Sequence, residues 1–351
     1  MEFAEILENV TRMGVSDVFV VAGRPLSYRL HGAMTMLNDT RLLPADTEKL
    51  VREIYRLSGD RDIEPLLRNG DDDFSFALPG VARFRVSAYK QRGSLAPVIR
   101  VISFELPDAA SVGIPKEVVE LGNLSKGLIL VTGPAGSGKS TTQAAIIDHI
   151  NRTKEKHIIT LEDPLEYLHS HRKSVVSQRE VNSDTQSYMS ALRAALRQSP
   201  DVILLGEMRD YETIQVVMTA AETGHLIIST LHTMGAGNTV DRIIDVFPAE
   251  QQRQIAVQLS MCLQAVVCQQ LIPTVDGRIV PAFEIMEVTP AIRNMIRENK
   301  IPQIEGIVYS SSSPTMVSMD NSLLKLCKDG IISKDTALLH ATNPDMLKKK
   351  L

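Results

Sequence analysis

A glycine-rich loop between an apolar run and a helical pattern constrains this chain more than any other feature. The apolar run covers residues 128–131, and the helical pattern begins at Thr141. Strand, glycine loop and helix in this order are the context of a phosphate-binding P-loop. Glycines let the backbone wrap around phosphate oxygens, and the helix N-terminus adds partial positive charge. The candidate cofactor-binding residues are Gly133, Pro134, Ala135, Gly136, Ser137, Gly138, Lys139, Ser140 and Thr141.

Two side chains at the end of this loop have the chemistry that phosphate and magnesium require. In a P-loop, the lysine reaches the β- and γ-phosphates and the next residue places its hydroxyl on Mg²⁺. Lys139 and Ser140 stand at these positions. The sequence therefore predicts a nucleotide site with Mg²⁺, for which Ser140 is one ligand.

Length and composition exclude several classes of protein. The chain has 351 residues, of which 44% are hydrophobic, which is enough for two or three domains with a large core. A net charge of -4, no tryptophan and 4% aromatic residues argue against a nucleic-acid partner. The three cysteines form no CxxC pair, so we expect neither a zinc site nor disulfides. No apolar run of about 18 residues and no signal sequence are evident, which favours a reducing cytoplasm and no transmembrane segment.

The chain divides into three regions by pattern. Residues 1–104 predict a small α+β domain with a mainly antiparallel sheet. Residues 105–115 are rich in turn formers and predict a linker. Residues 116–351 predict a parallel α/β domain, because short apolar runs alternate with helical patterns. The predicted strands are 128–132, 158–161, 202–205 and 226–230, and the predicted helices between them are 141–151, 187–197 and 211–222.

The later part of the second domain is predicted in less detail. Residues 248–270 have the pattern of one long helix, on which Cys262 and Cys268 are expected to be buried thiols. A hairpin with a turn at Asp276 and Gly277 is predicted within 271–286. A helix capped at Thr289 and Pro290 is predicted to run to Arg297, and two or three more helices then close the chain.

Acidic residues follow the second and third predicted strands of this domain. Glu162, Asp163 and Glu166 come after the second strand, where carboxylates hold Mg²⁺ through water and orient a nucleophile. Glu207 follows the third strand in the Walker B layout, with glycine at position 206 instead of aspartate. We predict that Glu207 polarises the attacking water. The alternative for each is an acidic side chain that faces solvent.

Two histidines and two arginines complete the candidate site. His225 and His232 flank the fourth strand, and either imidazole can donate to a phosphate near neutral pH. Arg85 alternates with apolar residues on a predicted strand, and Arg100 interrupts another. A buried arginine requires an acidic or phosphate partner. The alternatives are structural histidines and an ion pair within the domain.

The P-loop and the acidic and histidine segments after it resemble motifs of the secretion ATPases of type II secretion and type IV pili. GPAGSGKST matches the family's Walker A, TLEDPLEYLH its Asp box, VILLGEMRD its Walker B and AETGHLIISTLHT its His box. Among these proteins the chain is most similar to the pilus retraction ATPases, whose AIRNLIRE segment resembles residues 291–298. It shows neither the extra N-terminal domain nor the four-cysteine zinc motif of the extension ATPases.

The resemblance implies an architecture, an activity and partners. It implies a PAS-like N-terminal domain, a RecA-like P-loop NTPase core, and a homohexamer that binds ATP and Mg²⁺ between the domains. Glu207 would be the catalytic glutamate, Glu162 would also serve the metal, and Arg85 and Arg100 match the family's pair fifteen residues apart. The residues implied in catalysis are Glu207, Glu162, Glu166, His225, His232, Arg85 and Arg100.

The implied function is a cytoplasmic motor that works at the inner face of the membrane. It would hydrolyse ATP to draw pilin subunits out of a type IV pilus, acting on the inner-membrane platform protein and possibly beside a paralogous retraction ATPase. Two alternatives remain open at this point. One is an accessory retraction ATPase, and the other is a RecA-like motor on nucleic acid.

Overall fold

The computed structural model describes residues 3–30, 32–102, 106–208 and 210–351. The chain forms two compact units. The first unit contains Met1–Glu105 together with Glu166–Leu168, and the second contains Leu106–Leu165 together with His169–Leu351. The last two residues of the predicted first domain and the first residue of the predicted linker lie outside the described residues.

The first unit is a six-stranded antiparallel sheet with helices on one face. Its strand order is β3-β2-β1-β6-β5-β4. Side chains alternate across β5, where Ala82, Phe84 and Val86 are buried and Arg83 and Arg85 lie on the other side. The elements in chain order are α1 Phe3–Arg12, β1 Asp17–Phe19, β2 Pro25–Leu30, β3 Ala33–Arg41, α2 Pro44–Leu57, α3 Glu64–Asn69, β4 Asp71–Leu78, β5 Ala82–Gln91 and β6 Ser94–Ile102.

The second unit is built on an eight-stranded sheet. The elements are α4 Lys116–Glu120, a 3₁₀ turn Leu121–Asn123, β7 Gly127–Thr132, α5 Lys139–Thr153, β8 His157–Glu162, β9 Val175–Glu180, α6 Tyr188–Ala195, β10 Val202–Leu205, α7 Tyr211–Glu222, β11 Leu226–Leu231, α8 Ala236–Asp245, α9 Ala249–Cys262, β12 Leu263–Pro273, β13 Ile279–Glu287, α10 Pro290–Arg297, α11 Pro302–Ser310, β14 Met316–Val317, α12 Met319–Lys328, α13 Lys334–His340 and α14 Pro344–Lys348.

The order of the strands brings the candidate site together. The sheet runs β14-β13-β12-β7-β11-β10-β8-β9, and the strands from β12 to β9 are parallel. Every residue of β7, β10 and β11 is buried, because helices cover both faces of this sheet. The α/β class and the four central strands predicted from apolar runs are therefore confirmed. All their carboxyl ends open on one edge, the usual ligand edge of such sheets.

The helix predicted over residues 248–270 is wrong in its second half. Helix α9 ends at Cys262, and β12 begins at Leu263 and pairs in parallel with β7. Cys262 therefore closes a helix, whereas Cys268 lies within a central strand. Both thiols are buried as expected, and burial raises the pKa of the Cys262 thiol to about 12. The predicted hairpin around Gly277 is confirmed, but its first strand starts eight residues before 271.

Several short or edge elements were not predicted, among them α3, α4, β14, β3, β9 and α8. Strands β3 and β9 form sheet edges, and their mixed polar sequences give no clear alternation. Helix α8 follows the His232 loop directly, without a strong N-cap. In the described part of the chain, no helix has both the length and the apolar character needed to cross a bilayer.

Candidate active site

The glycine loop has the backbone of a phosphate cradle. Gly133, Gly136 and Gly138 have φ values of 139°, 75° and 89°, which side-chain-bearing residues rarely adopt. The loop leads into α5, a helix of 15 residues whose first residue is Lys139. The Lys139 ammonium donates to the carbonyl oxygens of Gly133 and Pro134, each at 2.9 Å. The loop, the helix N-terminus and this ammonium together suit an anionic phosphate chain.

Four of the predicted features meet at one edge of the second sheet. The register pairs Leu231 with Thr132 and Leu205 with Leu161, so the ends of β11, β7, β10 and β8 lie side by side. The P-loop follows Thr132, Glu207 follows β10, Glu162 ends β8, and His232 follows β11. The structure thus places these residues along the sheet edge that carries the P-loop, with β11 next to β7 and with β10 and β8 following in turn.

Glu207 is held on a backbone turn that is fixed from both sides. The N–H of Gly206 donates to the Leu161 carbonyl at 2.8 Å, and the Thr230 hydroxyl donates to the Gly206 carbonyl at 2.6 Å. The Glu207 side chain is only 15% exposed. This turn is therefore anchored to β8 and β11, and it presents one carboxylate at the sheet edge.

Glycine at position 206 has a steric reason. A Cβ atom built on Gly206 would lie 2.6 Å from the Tyr188 hydroxyl and 3.3 Å from the Leu161 carbonyl oxygen. An aspartate, as in the common Walker B layout, does not fit there without a shift. The hydroxyl of Tyr188, at the start of α6, occupies part of the space that a side chain at position 206 would need.

Substitution of Gly206 by alanine is expected to lower ATP turnover roughly ten- to a hundredfold, because it displaces the turn that carries Glu207. The second substitution Tyr188→Phe removes the nearest atom and should restore much of the loss. Steady-state turnover of the two single variants and the double variant measures this. A double variant no better than Gly206→Ala would show that the hydroxyl contact is not the cause.

The two predicted histidines lie at opposite ends of β11. His232 Nε2 is 3.5 Å from Glu207 Oε2, and its side chain is 59% exposed. The carbonyl of His225 instead accepts from the N–H of Gly127, at the start of β7, and its Nδ1 lies 3.0 Å from the Ala220 carbonyl. The P-loop is at the other end of β7, about 20 Å away at the rise of a strand. His232, but not His225, therefore lies at the sheet edge that carries the P-loop.

Of the three acidic residues predicted after the second strand, Glu162, Asp163 and Glu166, only Glu162 belongs to a strand that ends at this edge. Gln178 Nε2 donates to Glu162 Oε1 at 3.4 Å, while Gln178 Oε1 accepts from the backbone N–H of His169 at 2.7 Å. Asp163 is exposed. Glu166 is exposed as well and is grouped with the first unit, so its part in the site stays a prediction. Gln178 therefore positions Glu162 through a side-chain hydrogen bond that no sequence motif predicts.

His169 is a half-buried histidine whose backbone N–H donates to Gln178, the residue that contacts Glu162. Its Nδ1 is buried and has no hydrogen-bond partner among the described residues. Burial lowers the pKa of the imidazole from 6.5 to about 4, and the nearby Asp148 charge opposes this only in part. The native protein therefore keeps His169 uncharged at neutral pH.

This histidine predicts a loss of stability in mild acid. Between pH 6.5 and about 4 the unfolded state binds the proton that native His169 excludes, so stability falls as the pH is lowered and is unaffected by this group above about pH 7. At pH 5 the loss is about 2 kcal/mol. Denaturant unfolding of wild type and His169→Gln at pH 7.5 and pH 5 measures it. The variant should lose less stability than wild type between the two pH values, and equal losses would contradict the assignment.

In the first unit, Arg85 and Arg100 lie directly opposite each other on neighbouring strands. Arg100 Nε donates to Asp17 Oδ1 at 3.1 Å, and Arg29 Nη1 lies 3.8 Å from Asp17 Oδ2. The ion pair within the domain, which the sequence left open for Arg100, is therefore present. The Arg100 side chain is nevertheless 64% exposed, so it remains accessible to a second anion.

A cavity of about 340 Å³ opens beside the start of α5. It lies within the second unit, and its volume falls in the usual range for small-molecule sites. Apolar atoms come from the segment before α4 and from one face of α5, and Asp148, His149 and Arg152 add polar groups. Its lining includes Leu106, Pro107, Ala109, Val119, Thr141 and Ala144.

Comparison with known proteins places these features in a family. Residues 3–310 match the sequence model described as type II/IV secretion system protein. The chain belongs to this family. It is 43% identical to the type IV pilus retraction ATPase PilT of Pseudomonas aeruginosa, and the match covers 98% of the chain and 99% of the relative. It is 37% identical to the type IV pilus ATPase PilU of the same organism, over 99% of the chain and 91% of the relative.

A solved structure is also similar to this member of the secretion family. The crystal structure of the pilus retraction motor PilT with bound ADP has 45% sequence identity and a TM-score of 0.90, and the match covers 99% of both chains. The family resemblance and the α/β fold expected from the sequence are thereby confirmed.

Proposed function

We propose that this chain is an ATPase that powers retraction of a type IV pilus. The observation that carries the proposal is the meeting of the P-loop, Glu162, Glu207 and His232 at one sheet edge. The chain that presents them is 43% identical to PilT over nearly its whole length. Its 37% identity to PilU keeps an accessory retraction ATPase as the second candidate.

Each residue has a part in hydrolysis. The loop N–H groups and the Lys139 ammonium bind the phosphates, and Ser140 with Glu162 would hold Mg²⁺, which neutralises phosphate charge when bound. Glu207 accepts the proton of the attacking water, and His232 beside it orients the carboxylate or donates to the phosphate. In the described residues, no group of three or more acidic, histidine or cysteine side chains forms a metal cage. A magnesium site that takes most of its ligands from phosphate and water does not need one.

The cavity beside Thr141 suits the nucleoside part of ATP. It begins where the P-loop ends, and its apolar lining from Leu106, Val119 and Ala144 offers contact area for a base. The charged residues near its far side, Asp148 and Arg152, pair with each other at 2.6 Å. A nucleotide that extends from the P-loop along α5 would therefore meet a partly apolar wall.

The finer features of the motor belong to the same proposal. They comprise a homohexamer, domains at 1–104 and 116–351 joined by a linker at 105–115, and action on the platform protein at the cytoplasmic face of the inner membrane. Arg100, which is exposed, and Arg85, which is half-buried on the neighbouring strand, are proposed to bind phosphate charge during the cycle. Glu166 and His225 keep their predicted catalytic roles here as proposals only.

A complementation experiment tests the proposal. The chain is expressed in Pseudomonas aeruginosa lacking its own PilT, and twitching zones and pilus retraction are scored. Restored retraction supports a main retraction motor. The same experiment is done in a second strain that has PilT but lacks PilU, and restoration in this strain alone identifies the accessory candidate. If the protein is produced but restores retraction in neither strain, both candidates are contradicted.

A further inference from the structure

Gln269 is a buried amide on the strand next to the P-loop. Strand β12 pairs in parallel with β7, and Cys268 lies opposite Thr132, the last residue of β7. Gln269 follows Cys268 on β12, and Gly133, where the loop starts, follows Thr132 on β7. The Gln269 residue is only 3% exposed, so its amide is almost wholly withdrawn from water. A buried amide of this kind requires hydrogen-bond partners.

The side chain of Gln269 ties the first turn of α5 to the sheet. The Thr142 hydroxyl donates to Gln269 Oε1 at 2.7 Å, and both residues are buried. Thr142 comes three residues after Lys139, on the same helix. This contact therefore fixes the helix whose N-terminus carries the phosphate-binding lysine.

The glycines at both ends of the loop pack directly on Gln269. A Cβ atom built on Gly133 would lie 2.2 Å from the Gln269 carbonyl oxygen, and one built on Gly138 would lie 2.7 Å from Gln269 Nε2. Real Cβ atoms do not approach other atoms so closely. One residue thus contacts the loop at its entrance, at its exit and at the helix that follows.

We infer that Gln269 is a positioning residue for nucleotide binding, acting as a template behind the P-loop. Its backbone carbonyl and side-chain amide support the rear of the loop, which leaves the front free for phosphate. The shape of the loop is then set before the nucleotide arrives, and a preformed site saves the entropy of ordering it. This inference rests on the proposed function, since it assumes that the loop binds a nucleotide.

The neighbouring Gln270 provides a matched control. It is also a buried glutamine of β12, but it faces the opposite side of the strand. There its Oε1 lies 3.2 Å from His340 Nδ1, in the C-terminal helices, and not at the loop. Gln269→Met and Gln270→Met make the same change of side chain with similar volume on opposite faces of one strand.

Titration with a fluorescent ADP analogue tests the inference. Gln269→Met should raise the dissociation constant roughly tenfold or more, and Gln270→Met should change it less than about twofold. Thr142→Val removes the same hydrogen bond from the helix side and should weaken binding in the same direction. In a double-mutant cycle, Gln269→Met with Thr142→Val should lose less than the two separate losses combined, because both remove one contact.

Steady-state kinetics and thermal melting separate positioning from general damage. Gln269→Met should raise KM for ATP more than it lowers kcat, while its melting temperature stays close to that of Gln270→Met. Equal weakening by both variants, or ADP affinity unchanged in folded Gln269→Met, would overturn the inference. If the wild-type protein itself binds no ADP, the proposed function fails instead.

Discussion

Glu207→Gln is expected to lower the rate of ATP hydrolysis at least about a hundredfold, because an amide cannot accept the proton of the attacking water. ATP and ADP should bind with nearly wild-type affinity, since the P-loop residues are unchanged and glutamine has almost the same shape. The substitution should therefore lower kcat and leave the nucleotide affinity nearly unchanged. Turnover under saturating ATP, together with equilibrium nucleotide binding, measures both quantities.

Glu212→Gln is the matched control for this experiment. Glu212 is exposed in the first turn of α7, five residues along the chain from Glu207. It undergoes the same chemical change without touching the sheet edge, so its turnover should equal that of wild type. A Glu207→Gln protein that hydrolyses ATP at the wild-type rate would remove Glu207 from the chemistry.

Lys139→Ala is expected to weaken ATP and ADP binding by roughly a hundredfold, since it removes the ammonium that faces the phosphates at the end of the loop. Lys154→Ala, at the residue that directly follows the same helix, is the comparison. Lys154 lies at the opposite end of α5, where its ammonium donates to the Gly122 carbonyl at 2.9 Å. Both variants lose one positive charge, but only the first should lose the nucleotide.

Equilibrium titration of both lysine variants with ADP decides this prediction. Equal affinity of Lys139→Ala and Lys154→Ala would mean that the loop does not hold the phosphates. The melting temperature should respond differently. Lys154→Ala removes a bond that links α5 to the turn before β7, whereas two of the bonds that Lys139→Ala removes go to carbonyls of the adjacent loop.

The sequence predicted the central strands well because burial on both faces gives each one a short, continuous apolar run. The same rule failed at β12. Its residues from Leu263 onward are as apolar as the end of α9, and neither glycine nor proline marks the change at Cys262. A continuous apolar run fits a buried helix or a buried strand equally well. Pairing with β7 decides between them, and pairing is a tertiary property.

The candidate site was predicted where a motif fixes a spacing, and was missed where the contact comes from a distant part of the chain. Lys139, Glu162, Glu207 and His232 stand in recognisable boxes. Tyr188, Gln178 and Gln269 are single residues on other elements, and no local pattern connects them to Gly206, Glu162 or Thr142. The glycine at position 206 was the one available signal, because a departure from the aspartate pattern indicates a neighbour that requires the space.

The row of residues across the first sheet has an electrostatic consequence. Arg85, Arg100, Asp17 and Arg29 occupy successive strands at the same level, and their side chains share one face. Arg100 and Arg29 thus flank the Asp17 carboxylate, and Arg85 lies beyond Arg100, so the row carries an excess of two positive charges. Repulsion between the arginines raises the energy of the row when only water faces it, and a multiply charged anion placed over it would relieve that repulsion. This excess charge is the physical basis of the proposed role of Arg85 and Arg100 in binding phosphate.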